Sequence, residues 1–242
     1  MRLVLFGATG MLGSGALIEC LAHPDVEAVL SVGRRPCGVA HGKLEEVVHQ
    51  DSFDYRTVRS RLEGHDACLY CVGVSSVGMS ETDYRRVTYE MTLRAAEALL
   101  EANRGLSFCY ISGAGADATE QSRLMWAREK GRIENRLRVT PFKAVWLFRP
   151  GFVQPVKGVR SRTRLYNAVY GGLKPLYPVL ERVAPSRVTT TEKLGLAMIR
   201  AARDGAPEPV LQNRDINELA GAELGCDPQH DAPPLQERRY AM

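Results

Sequence analysis

The sequence predicts an α/β domain on a doubly wound parallel sheet, and three observations carry that expectation. An apolar run, Arg2 to Phe6, meets Gly7-Ala8-Thr9-Gly10-Met11-Leu12-Gly13-Ser14-Gly15 and passes directly into the helical pattern Ala16 to Ala22. Apolar strand-like runs then alternate with helical patterns across short connections through most of the chain. Leu3, Val4, Leu5 and Phe6 are apolar in succession, as a strand covered on both faces must be. At 242 residues the chain suits one such domain over residues 1–220, with a small lid excursion at 152–187 and a polar, proline-containing tail at 221–242.

The elements follow in order. Val26 to Val32 reads as the second strand, ending in Gly33-Arg34-Arg35-Pro36, and Glu46 to His49 as the third, ending in Gln50-Asp51-Ser52-Phe53. Tyr55 to Leu62 is a short helix and Ala67 to Val72 a fourth strand. Glu81 to Asn103 is a long helix with Val87, Met91, Ala95 and Leu99 at helical intervals. Leu106 to Ile111 is the fifth strand, Ser122 to Val139 a helix charged along much of its surface, and Lys143 to Phe148 a sixth strand stopped by Arg149-Pro150-Gly151. Prolines and glycines break the alternation from Phe152 to Pro185; Thr189 to Arg203 is a returning helix and Val210-Leu211 an edge strand.

The opening glycines have the spacing of a dinucleotide site. Gly7, Gly10 and Gly13 supply a tight turn, close backbone approach to a pyrophosphate and close packing of helix on sheet. The helix N-terminus then faces the phosphates with unpaired N–H groups and a partial positive charge. Gly7, Thr9, Gly10, Met11, Leu12 and Gly13 are the positions expected to border the cofactor there. About twenty residues on, where a carboxylate would bind the ribose 2′-hydroxyl of NAD, stand Arg34 and Arg35, with no Asp or Glu between Leu30 and His41. Two guanidiniums match a 2′-phosphate and so favour NADP over NAD. Ligands in this architecture bind beyond the C-terminal ends of the strands. Asp51 and Ser52 are accordingly expected at the adenine, Val72 and Gly73 at the adenosine ribose, and Ser112 and Pro150-Gly151-Phe152 at the reactive end.

Composition narrows the partners. The formal charge is +4, but Lys157 to Arg187 holds seven Lys or Arg against Glu181, a local excess suited to an acidic small molecule, a regulatory protein or an anionic membrane surface. No nucleic-acid-binding module accompanies it. The six cysteines show neither disulfide nor zinc spacing, and Cys68 and Cys71 fall within one strand on opposite faces. They read as small buried hydrophobes of a reducing compartment. With no n-region and h-region before the first strand, and no run of about 18 apolar residues, the expectation is a cytoplasmic protein without a transmembrane segment.

Taken together, Gly7-Ala8-Thr9-Gly10, Gly33-Arg34-Arg35, Ser112-Gly113-Ala114-Gly115-Ala116-Asp117, Lys130-Gly131 and Phe148-Arg149-Pro150-Gly151 resemble the atypical short-chain dehydrogenase/reductases of the NAD(P)-binding Rossmann superfamily. The resemblance spans about residues 1–220 and is strongest to the Tat-interacting oxidoreductase-like proteins and their epimerase-dehydratase-like relatives. It implies an NADP-binding oxidoreductase, and dimerisation through the helices at 81–103 and 122–139. It also implies a Tyr four residues before a Lys on one helical face, with a Ser just beyond the fifth strand. Here Lys130 and Ser112 match, but Trp126 occupies the Tyr position. Indole does not titrate in the useful range and cannot serve as a general acid or base. Tyr166, Tyr170 or a water held by Ser112 is then the replacement acid, or the protein is a regulatory module without turnover, in which NADP occupancy sets the shape of the basic lid and so controls a partner or membrane contact; the same missing Tyr weakens a sugar-nucleotide epimerase.

Overall fold

A computed structural model describes residues 1–159 and 186–222. Seven parallel strands form the central sheet: β1 Arg2–Phe6, β2 Ala28–Gly33, β3 Leu44–Val48, β4 Ala67–Tyr70, β5 Ser107–Ile111, β6 Ala144–Arg149 and β9 Val210–Gln212. Their order is β3-β2-β1-β4-β5-β6-β9, so the chain winds outward from β1 in one direction and then, from β4, in the other. This is the expected doubly wound sheet, with its switch point between β1 and β4. A second, two-stranded sheet pairs β7 Phe152–Gln154 with β8 Val188–Thr190 in parallel.

Alternation along the strands divides the core into two layers. Leu3, Leu5, Cys71, Cys109, Ile111 and Phe148 face α1 (Met11–Ala22), α5 (Thr191–Asp204) and α6 (Asn213–Gly221). Val4, Phe6, Cys68, Tyr70, Phe108 and Tyr110 face α3 (Met91–Ala102) and α4 (Met125–Arg138). Cys68 and Cys71 thus lie in opposite layers, as their spacing on a strand requires. α1 and α5 meet through missing side chains: a Cβ on Gly15 would lie 2.5 Å from Thr191 Cβ, and one on Gly195 3.1 Å from Ala16 Cα.

Several elements differ from expectation for identifiable reasons. The long helix is α2 (Glu81–Arg85), a π turn at Arg86–Glu90, and α3. The wider turn rotates its first half, so Tyr84, Thr88 and Thr92 are buried while Val87 and Met91 are half-buried. α4 starts at Met125 rather than Ser122 because the Asp117 carboxylate draws in the N–H groups of Thr119 (3.0 Å), Gln121 (2.9 Å) and Ser122 (2.6 Å), winding that stretch into a loop. The returning helix starts at Thr191, with Thr190 as its cap, because Val188–Thr190 is β8. Arg56–Leu62 is a 3₁₀ segment. α6 was not expected, and it is begun by a capping box in which Gln212 N–H donates to Asp215 at 2.7 Å. The greater part of the expected excursion, including Tyr166, Tyr170 and basic residues 160, 162, 164, 174 and 182, lies outside the described residues, as does the tail from 223.

Candidate functional site

The loop after β1 is built from backbone. Gly7 sits at φ +84°, which favours glycine, and its carbonyl accepts from Gly10 N–H at 2.8 Å. A Cβ on Gly7 would lie 2.8 Å from the Cys71 carbonyl carbon, so the ends of β1 and β4 touch there and bring Gly7 beside Val72. A Cβ on Gly13 would overlap the Gly7 carbonyl, so the third glycine is what lets α1 approach the turn. The N-terminus of α1 has no side-chain cap and no acidic residue in its first turn. Its leading N–H groups and positive end are therefore available to an anion. Thr9, Gly10, Met11 and Leu12 are half-buried around that end.

The neighbouring loops are tied to each other. Gln50 Nε2 donates to the Arg34 carbonyl at 2.8 Å, joining the turns after β2 and β3, and Cys37 N–H donates to Glu46 Oε1 at 2.7 Å. Arg34 and Arg35 are exposed, and no ion pair among the described residues uses either. Asp51 closes its own turn by accepting from Phe53 N–H at 2.9 Å, with Ser52 half-buried inside it, and the Arg86 guanidinium covers the Phe53 ring at 4.9 Å. A groove of about 630 Å³ beside Phe53 has its cations paired, Arg56 with Asp54 and Arg94 with Glu97. Val72 is half-buried and Gly73 exposed where β4 ends.

The ends of β5 and β6 and the face of α4 form the other half. Lys130 is only 9% exposed, and its Nζ donates to the Tyr110 hydroxyl and to the Ile111 carbonyl, each at 3.0 Å. Burial pulls its pKa from 10.5 down to about 8, opposed by the negative charge of Glu134. Ser112, the next residue after Ile111, is buried, and its Oγ has no hydrogen-bond partner among the described residues. Trp126 is half-buried with its ring edge over Gly115, where a Cβ would lie 3.1 Å from Trp126 Cη2. Gly131 is demanded by packing, because a Cβ there would overlap the Asp117 carbonyl.

Two clamps that the sequence reading missed hold this half together. Buried Glu134 grips Arg149 through a two-bond fork, which fastens α4 to the end of β6. Asn213 on α6 accepts from Gly151 N–H at 3.0 Å and donates to the Val188 carbonyl at 2.8 Å. Pro150 is buried and its carbonyl accepts from Ala114 N–H at 2.9 Å; Phe152 N–H donates to the Arg187 carbonyl at 2.9 Å. Residues from six strand ends are thus gathered on one edge of the sheet, with Lys130 drawn inward against Tyr110. The Arg149-Pro150-Gly151 stop was the visible trace of the first clamp; nothing in the apolar run Leu106 to Ile111 marks Tyr110 as the partner of a lysine.

Known proteins resemble this chain over its whole sheet. Residues 3–124 match the NAD dependent epimerase/dehydratase family. "Protein FMP52, mitochondrial" of Meyerozyma guilliermondii is 24% identical over 233 residues, covering 91% of this chain and 95% of that protein. "Protein fmp52-1, mitochondrial" of Aspergillus oryzae is 28% identical over 170 residues, 68% of this chain and 69% of that protein. Among solved structures, the Bordetella bronchiseptica enzyme WbmF in complex with NAD+ and UDP superposes with a TM-score of 0.63 at 17% identity, covering 100% of this chain and 84% of WbmF. The expectation of a cytoplasmic location is overturned by the mitochondrial names of these relatives. Among the described residues Cys20, Cys68, Cys71 and Cys109 are buried as expected, whereas Cys37 is half-buried, and cysteines without a disulfide do not by themselves distinguish one compartment from another. The expectation about ancestry stands, with the match ending just before Trp126 and Lys130: this chain belongs to the NAD dependent epimerase/dehydratase family.

Proposed function

We propose that residues 1–220 form an NADP(H)-binding oxidoreductase domain acting on a small molecule, in the manner of an atypical short-chain reductase. The observation that carries the reading is the turn in which Gly7, Gly10 and Gly13 clear the way to an uncapped α1 N-terminus. The pyrophosphate would lie there, against Gly7, Thr9, Gly10, Met11, Leu12 and Gly13. Arg34 and Arg35, exposed and outside the ion pairs of the described residues, would take the 2′-phosphate. Asp51 and Ser52 would border the adenine, Val72 and Gly73 its ribose, and Ser112, Lys130, Pro150, Gly151 and Phe152 the nicotinamide end. A bound nicotinamide would supply or accept hydride. Relatives named as mitochondrial support a mitochondrial location.

Trp126 favours a second reading, in which occupancy by NADP sets the shape of the site and is sensed by a protein partner without turnover. Binding is tested first. NADPH at about a hundred times its Kd should add roughly 2.7 kcal/mol to stability, visible as a thermal shift, and no shift at millimolar NADPH refutes both readings. Replacing Arg34 and Arg35 together with Ala should raise the NADPH Kd by about 10- to 100-fold, the loss of one or two charge-assisted bonds, and leave NADH within about threefold. Equal losses for both cofactors remove the 2′-phosphate assignment.

A further inference from the structure

We propose that Lys130 is itself the acid that protonates the substrate oxygen in carbonyl reduction, taking over the role of the tyrosine whose place Trp126 fills. The inference rests on the oxidoreductase reading above.

The geometry around Nζ argues for it. An ammonium has three N–H bonds. Two are directed to Tyr110 Oη and Ile111 O, both at 3.0 Å, which leaves one uncommitted. Ile111 ends β5, and the following residue is Ser112, whose buried Oγ has no partner among the described residues. The lysine with the uncommitted N–H is thus bonded to the carbonyl of Ile111, and the unpaired hydroxyl belongs to the next residue along the chain. On this proposal the substrate oxygen lies where it accepts from both.

The charges nearby suit a group that must release a proton near neutrality. Lys130 forms no ion pair among the described residues, and the carboxylate of Glu134, one turn along α4, is committed to Arg149. A buried ammonium without its own counter-ion is disfavoured, and its pKa falls to about 8. The phenol in contact with it is Tyr110 on β5, which in turn neighbours Tyr70 on β4 and Tyr84 on α2. Burial raises all three, so they stay protonated while Lys130 titrates. A general acid works best with a pKa near the working pH.

The step balances. Lys130 gives the proton of its third N–H to the oxygen that receives the carbonyl π pair, as hydride from a bound nicotinamide forms the new C–H bond. Lys130 is left as a neutral amine and recovers its proton from water.

The test separates this role from simple positive charge. NADPH binding, followed by fluorescence, comes first, and its absence overturns the proposal together with the reading beneath it. Lys130 is then titrated directly by NMR on lysine-labelled protein, its signal assigned by its loss in Lys130→Arg, with an ionisation between pH 7 and 9 expected. NADPH oxidation is measured with 9,10-phenanthrenequinone and 4-nitrobenzaldehyde. The wild-type kcat should fall about tenfold per unit above pH 8. Lys130→Met and Lys130→Arg should each lose about 100-fold or more in kcat while NADPH Kd changes less than tenfold, because guanidinium keeps the charge but does not release a proton. Lys143→Met, on the exposed surface, should leave the rate unchanged. Retained turnover in Lys130→Arg, an ionisation near the ordinary 10.5, or NADPH binding without oxidation by either carbonyl overturns the proposal; folding of Lys130→Met is not required, since the Arg variant and the wild-type pH profile each decide it.

Discussion

Replacing Lys130 with Met should change how stability depends on pH by an amount the structure sets. The side chain is 9% exposed, and burial lowers its pKa from 10.5 in the ordinary amine to about 8 in the fold. Because the folded value lies below the unfolded one, the unfolded chain holds a proton between these two values that the folded chain has lost. Stability contributed by this group rises with pH across that window, and below it the folded protein bears the full cost of the buried ammonium. The separation corresponds to about 3 kcal/mol, of which about 2.5 kcal/mol develops between pH 7 and 10. Buried thiols and phenols act in the opposite sense: Cys68, Cys71, Cys109, Tyr70 and Tyr110 are all pushed up, so the unfolded chain loses their protons first as pH rises. Those contributions are common to both proteins and cancel in the difference. Met also leaves Tyr110 Oη and Ile111 O without their donor, an offset of about 1–3 kcal/mol that does not vary across the window. Urea unfolding of both proteins at pH 7, 8, 9 and 10 should therefore show wild type gaining on Lys130→Met by about 2.5 kcal/mol. A difference constant to within about 0.5 kcal/mol would refute the buried, depressed amine.

Three further changes test the supports around the site. Gly131→Ala puts a Cβ into the Asp117 carbonyl and should cost about 3 kcal/mol, read as a Tm lower by roughly 6–12 °C; an unchanged Tm would show that the 117–122 loop can shift freely. Glu134→Ala strands Arg149 beside a buried vacancy and should cost about 3–5 kcal/mol in urea unfolding, whereas Glu134→Met with Arg149→Met should cost markedly less; equal costs would mean that the fork contributes only packing. Gly13→Ala forces α1 off the Gly7 carbonyl and should weaken NADPH at least about tenfold in a fluorescence titration, and an unaltered Kd would detach the turn from cofactor binding.

The fold was legible where pattern and mechanism coincide. Arg2 to Gly15 announces strand, turn and helix because each glycine answers a steric demand that no other residue meets, and the turn at Gly7 confirms it. β7 and β8, three residues each, are too short to carry a period, and their pairing is decided by Gly151 and Asn213 from distant segments. The helix around Lys130 misleads for a different reason. Met125–Arg138 is rich in charge and reads as a solvated face, yet Glu129, Lys130 and Glu134 are all buried. Glu129 meets Arg132 one turn along the same helix, while Lys130 and Glu134 are met from the strands, by Tyr110 on β5 and Arg149 on β6. Hydrophobic periodicity sees residue types and not their partners, so a buried charge looks like a surface charge until the strands are in place.

That difference divides the site in two. The proposed cofactor half is read from what is absent: a Cβ at Gly7 and Gly13, a cap on α1, a carboxylate beside Arg34 and Arg35. Absence is visible in a sequence, and the family match over residues 3–124 covers this half. The half toward β5, α4 and β6 depends on what is paired, and pairing is a tertiary fact. Trp126 shows why it matters. Judged against the Tyr-to-Lys spacing alone it removes the usual proton donor, which leaves either a replacement acid or binding without turnover. In the fold, Trp126 packs over Gly115 while the lysine one turn on is buried, lowered toward neutrality, bonded to the Ile111 carbonyl and left with one uncommitted N–H. On the proposal made above, proton transfer depends on the burial of Lys130, and the Glu134–Arg149 fork that ties α4 to β6 lies outside the span in which the family is recognised.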